Sequence, residues 1–167
     1  MPAAIRDERD GDAAAIAALT TRAFALAEHA SGTEAAIVDA LRAAGALTLS
    51  LVAAEDGAIV GHVALSPVRI DGAAGGWFGL GPLSVDPARQ RRGIGAGLVE
   101  AAIARLRASG AAGCVLLGDP AYYRRFGFTS DPTLHYGDTP SPYFQNLPLA
   151  GPAARGQVSY HPAFDAG

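Results

Sequence analysis

An apolar strand that runs into an arginine- and glycine-rich turn at a helix start constrains this chain more than any other feature. The stretch is Leu80-Gly81-Pro82-Leu83-Ser84-Val85-Asp86-Pro87-Ala88-Arg89-Gln90-Arg91-Arg92-Gly93-Ile94-Gly95-Ala96-Gly97. At a helix start the first N–H groups have no intrahelical partner, and that end carries about half a positive charge. Gly93 and Gly95 let the backbone curl around an anion with no side chain in the way. Arg89, Arg91 and Arg92 add fixed charge for further phosphates. Two other readings compete. Glycines at a helix start can be purely structural. A dinucleotide fold is the sharper rival, because Asp119 stands at a strand end about twenty residues past the glycines, where a ribose-binding acid would be expected. Against it, the order is G-x-G-x-G, not G-x-G-x-x-G. The glycines also follow Asp86-Pro87 and a basic turn, and two helices and a hairpin precede them.

Composition narrows the partners. At 167 residues the chain fits one domain, residues 1–167. Half the residues are hydrophobic and 17% are charged, which suits a packed globular protein. A formal charge of −3 argues against nucleic acid. The single Cys114 cannot form an internal disulfide. The opening Met1-Pro2-Ala3-Ala4-Ile5-Arg6-Asp7-Glu8 has no secretory apolar core, and no run is long enough to span a bilayer, so a soluble, cytoplasmic protein away from membranes is expected. All thirteen basic residues are arginine. That removes a P-loop lysine, a Schiff-base lysine and a lysine general base.

Periodicity supplies the elements. Ile16, Leu19, Ala23 and Leu26 predict a helix capped by Asp12. Ser31 and Glu34 form a capping-box spacing before Ile37, Val38 and Leu41, and Gly45 is a stop. Leu47–Ala54 and Ile59–Leu65 read as a hairpin over Glu55-Asp56-Gly57, with Ser66-Pro67 ending or bulging the second strand. Asp71–Gly76 reads as a connection. Trp77–Val85 is a strand whose Gly79, Gly81 and Pro82 predict a bulge or splayed edge. A helix follows from about Ile94 to Ser109, then a buried strand Cys114–Leu117. Asp119-Pro120 marks a further helix start, and Phe126-Gly127-Phe128 leaves that helix. Ser130–Gly156 is rich in proline and carries no readable pattern. Gln157–His161 reads as a last strand.

Gln90-Arg91-Arg92-Gly93-Ile94-Gly95 resembles motif A of the GNAT acetyltransferases, Q/R-x-x-G-x-G/A. Leu83-Ser84-Val85-Asp86-Pro87 is similar to that superfamily's L-x-V-x-P strand end. Tyr123 precedes Gly127-Phe128 with the family's Y-x-x-x-G-F spacing. The run Gly118-Asp119-Pro120-Ala121-Tyr122-Tyr123 resembles a bacterial branch of predicted acetyltransferases. The resemblance spans roughly Leu47 to Phe128. It implies an α/β GNAT fold: a central mixed and mostly antiparallel sheet, a splayed central strand pair that receives coenzyme A, and helices on both faces. It implies transfer of an acetyl group from acetyl-CoA to a primary amine by direct attack in a ternary complex.

On that resemblance, Leu83, Ser84 and Val85 pair with the pantetheine, and one of their N–H groups faces the thioester carbonyl. Gln90, Arg91, Arg92, Gly93, Ile94, Gly95 and Ala96 hold the diphosphate. Tyr123 is the candidate acid for the leaving thiolate, with Tyr122 as its rival. Many relatives carry a glutamate base on the central strands, and Trp77–Val85 has none. His62, Glu28, His29 or water are the candidates left. Asp119 stands where several relatives have asparagine. His62, His135 and His161 have no metal-ligand spacing, so no metal is expected. Cys114 reads as core, Arg124 and Arg125 as a solvated face, and Trp77 and Phe78 as packing or as an acceptor pocket. The acceptor is a small-molecule or peptide amine, and a homodimer is left open. The rivals to catalysis are a non-catalytic acyl-CoA-binding or regulatory module and an NAD-type dinucleotide-binding oxidoreductase.

Overall fold

A computed structural model describes residues 3–25, 32–138 and 140–166. In chain order the elements are β1 (Ala4–Asp7), α1 (Ala13–Phe24), α2 (Glu34–Ala43), β2 (Leu49–Glu55), β3 (Ala58–Ile70), β4 (Ala73–Val85), α3 (Ile94–Ala108), β5 (Gly113–Leu117), α4 (Pro120–Tyr123), β6 (Leu134–Tyr136), β7 (Phe144–Pro148) and β8 (Gly156–Ser159). Pairing is mixed and mostly antiparallel, with β4–β5 and β6–β8 parallel. The chain packs as two compact units. One comprises Met1–Leu65, Gly81–Ala102 and Pro162–Gly167, and the other Ser66–Leu80 and Ile103–His161.

In the first unit β1 lies antiparallel to β2, and β2 to β3. The β2–β3 turn has φ of 51° at Asp56 and 81° at Gly57, the two positive values that a type I′ turn demands. Ile16 of α1 and Val38 of α2 pack on Val52 and Ala64. Ile37 and Leu41 pack with Ala46 and Ala163. Leu19, Leu41, Leu51 and Leu98 are at most 1% exposed, and each such burial contributes about 1.5–3 kcal/mol. A methyl group on Gly61 would stand 2.8 Å from Ile94 Cγ2 and 3.0 Å from Leu98 Cδ1, so a bare residue there lets α3 settle onto β3.

Three expectations change in this unit. β1 is an additional strand. Asp12 is in the N-cap position of α1 but does not cap it; its carboxylate accepts instead from the Arg9 N–H at 2.7 Å and from the Arg6 guanidinium at 2.8 Å. Thr33, not Ser31, stands before α2, and its side chain makes no cap bond. Ser31 and Leu26 lie outside the described residues.

In the second unit β3 and β4 form a hairpin whose turn is only Asp71-Gly72, with φ of 51° and 78°. The small residues Ala73–Gly76, expected as loop, extend β4 instead. β8 pairs with β3 at Arg69↔Ser159 and Ile70↔Val158, and β5 pairs with β7 over five positions. Val68, Trp77, Val115, Leu134, Phe144 and Val158 form the core. Ser66-Pro67 does not end β3. The β2 ladder stops at Leu65 and the β8 ladder starts at Arg69, so Pro67 falls where neither needs its missing N–H. The β4–β5 ladder holds three pairs, Trp77↔Gly113 to Gly79↔Val115. Beyond it come Gly81, at φ 140°, and Pro82, which has no N–H to offer. The proline-rich stretch that gave no pattern holds β6, β7 and the first residue of β8.

Candidate active site

The end of β4 is braced before it turns. The Asp86 N–H donates to the Val60 carbonyl at 2.8 Å, and the Asp86 carboxylate accepts from the Ala88 N–H at 3.0 Å, with Pro87 at the first helical position. Arg89 is tied down by Glu55 at 3.0 Å and by Asp86 at 3.2 Å. Its charge is therefore already matched, which corrects the expectation that it serves a phosphate. Gln90 is extended, and its amide reaches the Val85 carbonyl at 3.4 Å. Arg91 has φ 67°, uncommon for a residue with a side chain and a form of backbone strain that gathers at functional sites.

Gly93, at φ 82°, accepts the Gly97 N–H at 3.0 Å and is thus the residue that caps α3. Having no side chain, it cannot turn a capping oxygen onto the first turn. The N–H groups of Ile94, Gly95 and Ala96 are left as donors. Arg91, Arg92 and Gly93 are exposed, while Ile94 is buried beneath them. Neither Arg91 nor Arg92 has an acidic partner among the described residues. A cavity of about 220 Å³ is lined by Arg92, Gly93, Ile94 and Gly97 together with Ile5, Ala53 and Glu55. Leu83 and Val85 are half-buried, whereas Ser84 is 1% exposed with its Oγ 3.4 Å from Thr20 Oγ1. Leu83, Ser84, Val85 and Gln90 to Ala96 all belong to the first unit.

Tyr123 belongs to the second unit. After β5 the chain turns at Gly118, and Asp119 caps α4 by accepting the Ala121 N–H at 2.9 Å, with Pro120 first in the helix. Tyr123 lies against Gly118 so closely that a Cβ at that position would overlap its ring. Phe126 and Phe128 stand 6.2 and 6.1 Å away, ring centre to ring centre. Burial, with smaller contributions from Tyr122 and Cys114, pushes Tyr123 up to about 12. Among the described residues its hydroxyl has no hydrogen-bond partner. Tyr122 is differently placed: Arg125 stands 4.4 Å over its ring and donates to its carbonyl at 3.0 Å. Trp77, 4% exposed, packs in the core of this unit. Cys114 is fully buried, which pushes its thiol up to about 12. Arg124 and Arg125 are exposed.

Of the candidate bases, Glu28 and His29 lie outside the described residues. His62 is 0% exposed on β3, and its Nε2 lies 2.8 Å from Ser50 Oγ. Ser50 Oγ donates to Glu8 Oε1 at 2.7 Å, and Arg42 holds both Glu8 oxygens, at 2.7 and 3.0 Å. Those Arg42 bonds chiefly hold Glu8 below its ordinary carboxylate range, and burial pushes His62 down to about 4. No local pattern points to Glu8, Ser50 or Arg42, because Glu8 lies 34 residues from Arg42 and 42 from Ser50 and the three share no motif. Among the described residues no group of three metal-ligating side chains occurs, and no helix is long and apolar enough to cross a membrane.

Comparison with known proteins places this geometry. Residues 47–130 match the family model described as an acetyltransferase (GNAT) domain. The uncharacterized N-acetyltransferase YhbS of Escherichia coli K12 is 44% identical over 125 residues, covering 74% of this chain and 72% of that protein. A GNAT family acetyltransferase from Brucella melitensis, solved in complex with acetyl-CoA, is 53% identical, covers 98% of each chain and superposes with a TM-score of 0.87. The YhbS structure, solved in complex with CoA, is 38% identical over 99% of this chain and 93% of that one, with a TM-score of 0.89. The motif at Gln90–Gly95, the strand order and these likenesses together make the chain a member of the GNAT acetyltransferase family.

Proposed function

We propose that this GNAT acetyltransferase moves the acetyl group of acetyl-CoA onto a primary amine by direct attack, with both substrates bound at once. The observation that carries the reading is the side-chain-free start of α3, where Ile94, Gly95 and Ala96 offer N–H groups and Arg91 and Arg92 stand exposed, without acidic partners among the described residues. A doubly charged diphosphate needs just that combination of fixed dipoles and guanidinium forks. The related protein from Brucella melitensis, solved with acetyl-CoA, supports the same cosubstrate here.

In this reading Leu83, Ser84 and Val85 lend backbone groups to the pantetheine, one N–H facing the thioester oxygen. Gln90, Arg91, Arg92, Gly93, Ile94, Gly95 and Ala96 hold the diphosphate. Tyr123 stays protonated throughout the neutral range and supplies the proton for the departing thiolate. Its packing against Gly118 favours it over Tyr122, whose ring is engaged by Arg125. The acceptor is a small molecule or a peptide bearing an amine.

The test has two stages. Calorimetry with acetyl-CoA should register binding, and Gly93→Val should weaken it at least tenfold. Thiol release should then be followed against a panel of polyamines, amino acids and peptide N-termini. Absence of binding removes the reading; binding without release on any amine leaves a non-catalytic acyl-CoA-binding module.

A further inference from the structure

The first unit buries three polar side chains that its apolar core does not need: Thr20, His62 and Ser84, each at most 1% exposed. His62 is the unusual one. Ser50 Oγ has a single proton, and at 2.7 Å it gives that proton to Glu8 Oε1. Toward His62 Nε2, 2.8 Å away, Ser50 can therefore only accept, so Nε2 carries the ring proton. Nδ1 is left as a bare lone pair. It is buried, and among the described residues no donor reaches it. A buried acceptor without a partner is costly to keep, and such groups are kept where something else supplies the proton.

The position of the ring says what that supply could be. The bond from Asp86 N–H to Val60 C=O sets β3 beside the end of β4. His62 and Ser84 each lie two residues in from that bond, so on antiparallel strands they fall on one face. Ser84 belongs to the stretch assigned above to the thioester, and the inference rests on that assignment. We infer that His62 Nδ1 receives, through one bridging water, the proton that the acceptor nitrogen sheds on acylation, with Ser50 and Glu8 as positioning residues. The amine arrives neutral. As its nitrogen attacks, the C–N bond forms and the C–S bond breaks. The sulfur takes up a proton from solvent, the nitrogen gives one to the water, and the water passes one to Nδ1. The products are the amide and the free thiol, and the ring then returns its proton to solvent.

The charged groups around the ring are Glu8 and Arg42, the latter also paired with Asp39. Burial outweighs the attraction of Glu8 and keeps the ring neutral at physiological pH, so the accepting form is always present. A base this weak cannot strip a free ammonium ion. An acylated nitrogen, however, holds its extra proton far more weakly, and for that step the ring is basic enough.

His62→Gln is the deciding variant, because its amide N–H can still donate to Ser50 while the Nδ1 lone pair is gone. Turnover should fall on the order of 100-fold, with acetyl-CoA affinity and the melting midpoint within error of the parent. In the parent, nitrogen-15 spectra of the imidazole should give the Nε2–H tautomer. In Glu8→Gln and Ser50→Ala the Nδ1–H form should grow in and turnover should drop several-fold. An Nδ1–H ring in the parent, or turnover in His62→Gln within twofold of it, overturns the assignment and leaves acetyl transfer standing. A parent that binds acetyl-CoA yet acetylates no amine in the panel retracts acetyl transfer and the role of His62 together.

Discussion

At Gly93 the chain presents exposed backbone, and among the described residues the flanking, exposed Arg91 and Arg92 have no acidic partner. Tyr123 is half-buried: the ring lies on Gly118 among Phe126 and Phe128, and burial pushes its hydroxyl up to about 12. In the proposed reading one region would work through peptide dipoles and open charge, which many side-chain changes would leave in place. The other works through the placement of one ring, which a single added carbon disturbs. A group that binds a diphosphate can tolerate water nearby; a group that must keep its proton until a thiolate appears cannot.

The sharpest way to break this contrast is Tyr123→Phe. Turnover should fall about 100-fold or more while the dissociation constant of acetyl-CoA stays within twofold, read by thiol release and calorimetry. Equal losses in both would mean that the ring is part of the binding surface. The next effect is on stability. His62 titrates near 6.5 when unfolded and near 4 in the fold. Above pH 6.5 both states are neutral and stability is full. Between 6.5 and 4 the unfolded chain takes up the proton first, so stability falls with pH, and about 3 kcal/mol is gone below 4. Glu8 and Asp12, both held low, add their own losses beneath the carboxylate range. Urea melts at pH 7, 5.5 and 4.5 should follow that slope in the parent and lose most of it in His62→Gln.

Gly118→Ala comes third. The new methyl group must displace the Tyr123 ring, so turnover should fall about tenfold, with little change in acetyl-CoA affinity. The smallest effects belong to the open region. Arg91→Ala and Arg92→Ala should each raise the acetyl-CoA dissociation constant up to about tenfold, more in low salt than in high, at nearly constant turnover. A fall in turnover alone would put these guanidinium groups in the chemistry and undo the contrast.

How legible each region was follows from the same physics. Gln90 to Gly95 announced itself because a helix start left free of side chains needs glycine at fixed places, and the match to residues 47–130 falls on nearly the same span as the motif reading. Asp119-Pro120 and the Asp56-Gly57 turn were readable for a similar reason: few residues meet those backbone demands. β1 was not readable, since Ala-Ile-Arg-Asp is too short to alternate and owes its strand to β2. β6, β7 and β8 hide among prolines and exist through long-range pairing. Asp12 looked like a cap, and an arginine six residues earlier took its carboxylate. The Glu8–Ser50–His62 chain joins three elements that no local pattern relates.

The open charge around Gly93 has a further consequence. An enzyme that carries an activated acetyl group exposes its own nucleophiles to it, and an ammonium side chain beside the donor could be modified by the reaction it serves. Arg91 and Arg92 are poor targets for it, because the guanidinium nitrogens share a delocalised charge and offer no free lone pair. With no lysine anywhere in the chain, a diphosphate held as proposed would be held by cations that its acetyl group cannot label.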